Sequence, residues 1–283
     1  MTDRGGIENT LPRLMARLRA SAPRPESASA MGARLDSVTA RQWLWGSGFV
    51  TPGGRREVLD LAAPLKLAPG MVLLDVAAGI GGAVRALAEE FRIEAVGLER
   101  DLDLARLGMA LSEEHRVARR APVGVFDPES FDLPPARHDC VLAREATHLV
   151  REKERFWRVV MQGLRTGGAL VATEFVRSGE GREGDALEAW ASSVARRPLL
   201  WSQERYEDCF KSLGFTIRAI ADITPDYRTL VLSGWTRLMQ RPELHRLPRR
   251  AFGPIIDEAE RSLRLVRAFD SGALRLIRLH AIA

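Results

Sequence analysis

Residues 71–82 read MVLLDVAAGIGG: an apolar run ends in Asp75, and the chain then sheds its side chains through Ala77, Ala78, Gly79, Gly81 and Gly82. A short continuous apolar run suits a strand buried on both faces. The stretch that follows, 83–91 (AVRALAEEF), carries Val84, Leu87, Ala88 and Phe91 at helical spacing. A strand that enters a helix through a glycine-rich turn lets a ligand approach the backbone and the free N–H groups of the helix start. The pattern GxxxxGK followed by Ser or Thr is missing, which excludes a P-loop. Asp75 would repel a pyrophosphate at this turn and attract an ammonium group. Glu99 closes the next strand, EAVGLE (94–99), where a carboxylate can accept hydrogen bonds from ribose hydroxyls.

Outward from this unit the rhythm continues. A helix is predicted over 103–115, strands near 123, 139 and 169, and a helix over 152–164 that leads into a turn at Thr166, Gly167 and Gly168. Alternating strand and helix imply a parallel sheet with helices on both faces. Past residue 177 come a glycine-rich loop (178–185) and a helix over 186–197 stopped by Pro198. Another helix opens on Ser202 and closes on Gly214. A strand at 215–223, a helix ending near Gly272 and a strand over 273–283 complete the chain, with no repeat and no clean linker.

The 283 residues are 46% hydrophobic and 28% charged, enough for one large domain or a domain with a cap. The N-terminus has no signal-peptide core and no apolar run is long enough to cross a bilayer, so a cytoplasmic protein without stable membrane insertion is expected. Cys140 and Cys209 lack partners at metal-ligand spacing, which argues against a disulfide or structural zinc. The net charge of +5 comes from scattered arginines of the kind a GC-rich genome produces, so no nucleic-acid partner is inferred. Residues 1–34 read as a mobile tail, although the arginines around Leu11, Leu14, Met15 and Leu18 would also suit a helix at a membrane surface or on a partner. A homodimer is compatible with all of these features.

LLDVAAGIGG resembles the first motif of class I S-adenosylmethionine-dependent methyltransferases, with Ala77 at its first glycine. GLERD (97–101) resembles the acidic motif after the second strand, HDCVLAREATHL the fourth strand, and LRTGGALVATEF the turn into the fifth with Thr166 replacing proline. The resemblance implies a Rossmann-like, mostly parallel seven-stranded sheet with an antiparallel last strand, plus a helical substrate cover. It implies S-adenosylmethionine as cofactor, held by Asp75, Ala77, Gly79, Gly81, Glu99 and Arg100. Upstream, WLWGSGFVTPGG (43–54) resembles the segment that closes over the cofactor in phosphoethanolamine N-methyltransferases and related sterol and small-molecule methyltransferases. By that likeness residues 35–62 form a helical strap and 63–283 the methyltransferase domain, with 177–213 and 224–270 as cover insertions. Val50 and Thr51 would meet the methionine part, Asp127 the adenine amine, Arg144 would lie beside the cofactor, and Glu145 and His148 would face the acceptor. Trp45, Tyr227 and Arg237 are candidate substrate contacts; Trp43 and Trp45 suit ordinary core packing equally well.

Phosphobase enzymes of that group pair the histidine after the fourth strand with a tyrosine upstream of the strap. Here only Tyr206 and Tyr227 exist and the loop is one residue shorter, which argues against phosphoethanolamine as acceptor. His148 is the candidate general base, with an unperturbed pKa near neutrality that Glu145 could raise or whose ring it could orient; a loop-closing backbone hydrogen bond is the alternative role. The expected function is methyl transfer to N, O or C of a small molecule. An S-adenosylmethionine-binding protein without catalysis and a nicotinamide oxidoreductase are the alternatives, the latter disfavoured by Asp75.

Overall fold

The computed structural model describes residues 36–178 and 184–283. The expected N-terminal tail and most of the glycine-rich loop lie outside the described residues.

Val72–Asp75 (β1) is buried at every position. It pairs in parallel with Glu94–Glu99 (β2) on one side and His138–Arg144 (β4) on the other. Val123–Val125 (β3) borders β2, and Leu164–Arg177 (β5) borders β4. Beyond β5 lie Leu274–Ile282 (β7) and Thr216–Asp222 (β6). The seven-stranded order is β3-β2-β1-β4-β5-β7-β6, with β7 antiparallel to both neighbours. The order reverses between β1 and β4, and the crevice at that reversal is where open α/β sheets bind ligands.

Side chains alternate between the two faces. Leu73, Ala95, Leu142 and Val171 pack with the helices Gly54–Ala62 (α2), Gly82–Phe91 (α3) and Leu102–Glu114 (α4). Leu74, Val141, Leu170 and Ala172 pack with Lys153–Gly163 (α5) and Gln203–Ser212 (α7). A third cluster forms where β5 and β7 run on past the end of β4: Phe175 and Leu276 meet Ser37–Trp45 (α1), Asp185–Ala191 (α6), Thr224–Met239 (α8) and Gly253–Asp270 (α10). Short Pro242–Arg246 (α9) links α8 to α10.

Two elements depart from the sequence reading. The predicted turn at Thr166, Gly167 and Gly168 lies inside β5 as a bulge: His138 pairs with Leu164 but Cys140 pairs with Ala169, and Gly167 takes φ +79°. The helix expected up to Pro198 stops at Ala191, because Ser193 turns its hydroxyl onto the Trp190 carbonyl at 2.7 Å and ends the helix early. Ser202 caps α7 as expected, accepting from the Arg205 amide at 3.3 Å.

Candidate functional site

Asp75 ends β1 fully buried. Its Oδ1 accepts from the Ala77 amide at 3.2 Å, while Oδ2, equally buried, has no partner. Burial raises its pKa, and the nearby Arg144 charge opposes that rise. An orphan carboxylate oxygen at the switch point is a costly feature unless a cationic donor reaches it.

Glu99 stands at the end of β2, on the far side of the turn. Its Oε2 accepts from Gly79 N–H and its Oε1 from Asp101 N–H, both at 2.8 Å. Burial raises its pKa as well, against the pull of these two amides. Across the sheet Glu99 pairs with Val125, whose side chain is 54% exposed, and Leu102 nearby in sequence is 45% exposed. Asp127 is exposed and accepts from Glu129 N–H at 3.0 Å and Ser130 Oγ at 2.8 Å, which holds its pKa below the usual range. Arg100 is half-buried and bears on Asp127 only through its charge.

The strap between α1 and α2 lies directly on the glycine turn. A Cβ placed on Gly82 would stand 2.3 Å from the Gly48 carbonyl oxygen, and one on Gly79 would meet the Val50 side chain at 3.1 Å. The turn has lost its side chains partly because its own chain passes over it. Residues 48–51, 77–80, Gly82 and Arg144 line a small, partly open space of only about 10 Å³. Arg144 donates to Thr51 Oγ1 at 3.1 Å, tying β4 to the strap, and its buried Nε has no partner.

Past Arg144 the chain makes a sharp loop. Glu145 takes φ +48°, a left-handed conformation that disfavours non-glycine residues. Its amide donates to the Thr173 carbonyl at 2.7 Å, and its carboxylate accepts from Thr173 Oγ1 at 3.1 Å. Burial raises the Glu145 pKa, an effect that Arg144 opposes. His148 Nδ1 lies 2.7 Å from the Glu145 carbonyl oxygen. A carbonyl can only accept, so Nδ1 carries the proton and the Nε2 lone pair is left free. Burial lowers the His148 pKa to about 4, which corrects the expectation of titration near neutrality. The carbonyl of Glu145 orients the ring; its carboxylate is turned to Thr173.

The cover residues divide. Tyr227 is buried, edge-on to Phe175 at 6.4 Å, and His148 packs edge-on against the same Phe175 at 5.6 Å. Trp45 is in the core: a Cβ on Gly234 of α8 would stand 2.1 Å from its ring. Arg237 is exposed, off the buried face of α8 formed by Tyr227, Val231, Trp235 and Leu238.

The sequence model of the mycolic acid cyclopropane synthetase family matches residues 56–248, from within α2 to just past α9. This chain belongs to the mycolic acid cyclopropane synthetase family. It is 25% identical to phosphoethanolamine N-methyltransferase 2 of Caenorhabditis elegans over 69% of this chain and 44% of that protein. It is also 25% identical to the sterol 24-C-methyltransferase of Yarrowia lipolytica over 59% of this chain and 45% of that one. The chain thus spans less than half the length of these curated relatives. Among solved structures, Haemonchus contortus phosphoethanolamine N-methyltransferase 2, in complex with phosphomonomethylethanolamine and S-adenosylhomocysteine, superimposes with a TM-score of 0.77. That match has 21% identity over 87% of this chain and 57% of that one, a likeness of fold.

Several residues around this family's site escaped the sequence reading. Arg85 is buried on α3 and donates to Gly108 O at 3.2 Å and Gly48 O at 3.4 Å, pinning α4 and the strap together. Its signal was one charge in the apolar run GAVRALA. Glu174, fully buried, interrupts the apolar run of β5 in the same way. Lys153 and Tyr206, its neighbours in space, sit on helices whose patterns look like ordinary amphipathic surfaces.

Proposed function

We propose that this chain catalyses S-adenosylmethionine-dependent methyl transfer to N, O or C of a small molecule. The observation that carries this reading is Asp75 Oδ2, buried and unpaired beside the glycine turn at the switch point. It suits the ammonium of an amino-acid moiety, and Glu99 offers a carboxylate for ribose hydroxyls by giving up its bonds to Gly79 and Asp101. Ala77, Gly79 and Gly81 leave the backbone bare; Val125, Leu102 and Asp127 flank the place for the base; Val50, Thr51 and Arg144 close it from above. Arg100 adds positive charge at the rim. The cofactor supplies an electrophilic methyl group on a good leaving group, so the protein's share is alignment, exclusion of water and removal of the acceptor's proton.

His148 is the proposed base. With the cofactor bound, an acceptor giving an electron pair (a lone pair on N or O, a π pair on C) to the methyl group would release its proton to Nε2, while Nδ1 keeps its bond to the Glu145 carbonyl. Phe175 and Tyr227 form the apolar wall beside it, and Glu145 lines the acceptor side. The helices α1, α6, α8 and α10 serve as the cover. No helix among the described residues is long and apolar enough to cross a membrane, in keeping with a cytoplasmic enzyme acting on a diffusible acceptor. Titration calorimetry with S-adenosylmethionine and with NADH tests the cofactor, and transfer of a labelled methyl group to a panel of small amines, phenols and sterols tests the reaction. Binding of NADH alone would overturn the proposal, and cofactor binding without transfer to any acceptor would leave a binding protein.

A further inference from the structure

Behind the loop that carries Glu145 and His148 lies a polar cluster with no access to solvent. Thr147, Glu174 and Tyr206 are fully buried, and Lys153 is 1% exposed. Every polar group of Thr147 is held. Its amide donates to the Glu174 carboxylate at 3.1 Å, its hydroxyl lies 2.8 Å from the Tyr206 hydroxyl, and its carbonyl accepts from the Lys153 ammonium. Tyr206 also donates to Glu174 at 3.1 Å, and Lys153 to the Val150 carbonyl at 3.0 Å. Such a network is expensive to bury and is stable only when all its members are paired.

Its placement gives it a use. Glu174 and Thr173 are successive residues of β5 and point to opposite faces. Thr173 holds the Glu145 carboxylate and amide, while Glu174 holds Thr147. The His148 carbonyl accepts from Leu199 N–H at 2.7 Å. The loop is thus fixed at three points, Glu145, Thr147 and His148, around the left-handed Glu145, a conformation that persists only where its surroundings over-determine it. We propose that Lys153, Glu174 and Tyr206 are positioning residues, which act through Thr147 to set where the Glu145 and His148 side chains stand at the acceptor site. The inference rests on the proposed methyl transfer for its purpose, and its test does not depend on that reaction.

The groups that bear on His148 are the Glu145 carbonyl and the charges of Lys153 and Arg100. If the network holds the partly buried ring against Phe175, loosening the loop lets more water reach it and moves the imidazole's titration toward its ordinary value. The test is an NMR titration of His148 in the full chain as wild type, Tyr206→Phe, Glu174→Gln and Trp157→Phe. Trp157 is a buried aromatic residue with no hydrogen bond to the loop, and its trimming controls for general softening of the core. The expected result is a midpoint at least tenfold higher in proton affinity for Tyr206→Phe and Glu174→Gln, with Trp157→Phe like wild type and melting curves still cooperative. Titration of His148 unchanged in Tyr206→Phe overturns the proposal, as does an equal shift in Trp157→Phe. Should Glu174→Gln fail to fold, Tyr206→Phe, which removes one oxygen, decides alone. Once an acceptor is known, the same variants should lose kcat at least tenfold with the KM for cofactor within about twofold of wild type.

Discussion

At the scale of single residues, burial decides the chemistry more than residue type does. His148 would titrate near pH 6.5 in water, at about that value for a free imidazole, yet its niche lowers the pKa to about 4. Turnover should therefore show no break from His148 between about pH 5.5 and 8, where the ring is already neutral and able to accept a proton. His148→Ala should lower the rate by roughly 10² to 10⁴-fold with cofactor affinity nearly unchanged; a pH-rate profile of both proteins checks this, and a wild-type inflection near neutrality would contradict it. The same depression has a cost in stability. A histidine whose folded pKa is lowered is protonated first in the unfolded chain, so acidification from its ordinary pKa toward about 4 destabilises the fold. His148→Gln should flatten urea-derived stability across that window. Glu99→Ala should weaken S-adenosylmethionine binding by roughly 1.5 to 3 kcal/mol, through loss of charge-assisted hydrogen bonds to the ribose. Equal affinity by calorimetry would remove Glu99 from the cofactor site.

At the scale of elements, the glycine turn answers to the strap that lies on it and, in the proposed function, to a cofactor as well. Gly82→Ala would drive its methyl into the Gly48 carbonyl at 2.3 Å, contact that only backbone movement can relieve. The expected cost is about 1 to 3 kcal/mol of stability, read by chemical denaturation, together with faster cleavage of the strap by protease. A variant as stable as wild type would show the strap to be looser than its geometry. The strands and helices around this turn were legible in the sequence because local signals agreed: apolar runs for β1 and β2, helical spacing for α3, and capping serine for α7. The bulge in β5 was not, since Thr166, Gly167 and Gly168 read as a chain reversal until the Cys140–Ala169 pairing shows the strand continuing past them. Asp75 and Glu99 were singled out from the sequence and Arg144 and His148 from the resemblance; the structure gives Asp75 and Arg144 each a buried polar atom without a partner. Arg237 was named as a substrate contact because residues 222–238 resemble the acceptor-lining segment of small-molecule methyltransferases; it stands exposed on α8, apart from the buried face that holds Tyr227 and Trp235. The cluster of Lys153, Glu174 and Tyr206 draws its members from α5, β5 and α7, and no local pattern reports which distant residues a buried charge will meet.

At the scale of the whole molecule, the strap covers one part of the proposed cofactor site, the glycine turn, and leaves the side near Val125 and Asp127 open. The space of about 10 Å³ between strap and turn holds no more than about one water, so in the proposed function the amino-acid part of the cofactor reaches Asp75 only after residues 46–53 move away from the turn. Three ties hold them: Gln42 accepts from Gly48 N–H at 2.8 Å, Arg85 reaches Gly48 O, and Arg144 reaches Thr51. Gly46 at φ +110° and Gly53 at φ +91° bracket the segment and allow backbone changes that other residues resist. Association should therefore be gated. In stopped-flow measurements of tryptophan fluorescence, the observed rate should level off as S-adenosylmethionine or S-adenosylhomocysteine concentration rises, the plateau being the opening rate of the strap. Thr51→Val removes one tie without adding bulk and should raise that plateau several-fold, while bound ligand should protect residues 43–54 from proteolysis. A rate that climbs linearly to the highest concentrations, with cleavage of the strap equal in the presence and absence of ligand, would mean that the closed strap is no barrier and that Trp43 and Trp45 serve the core alone.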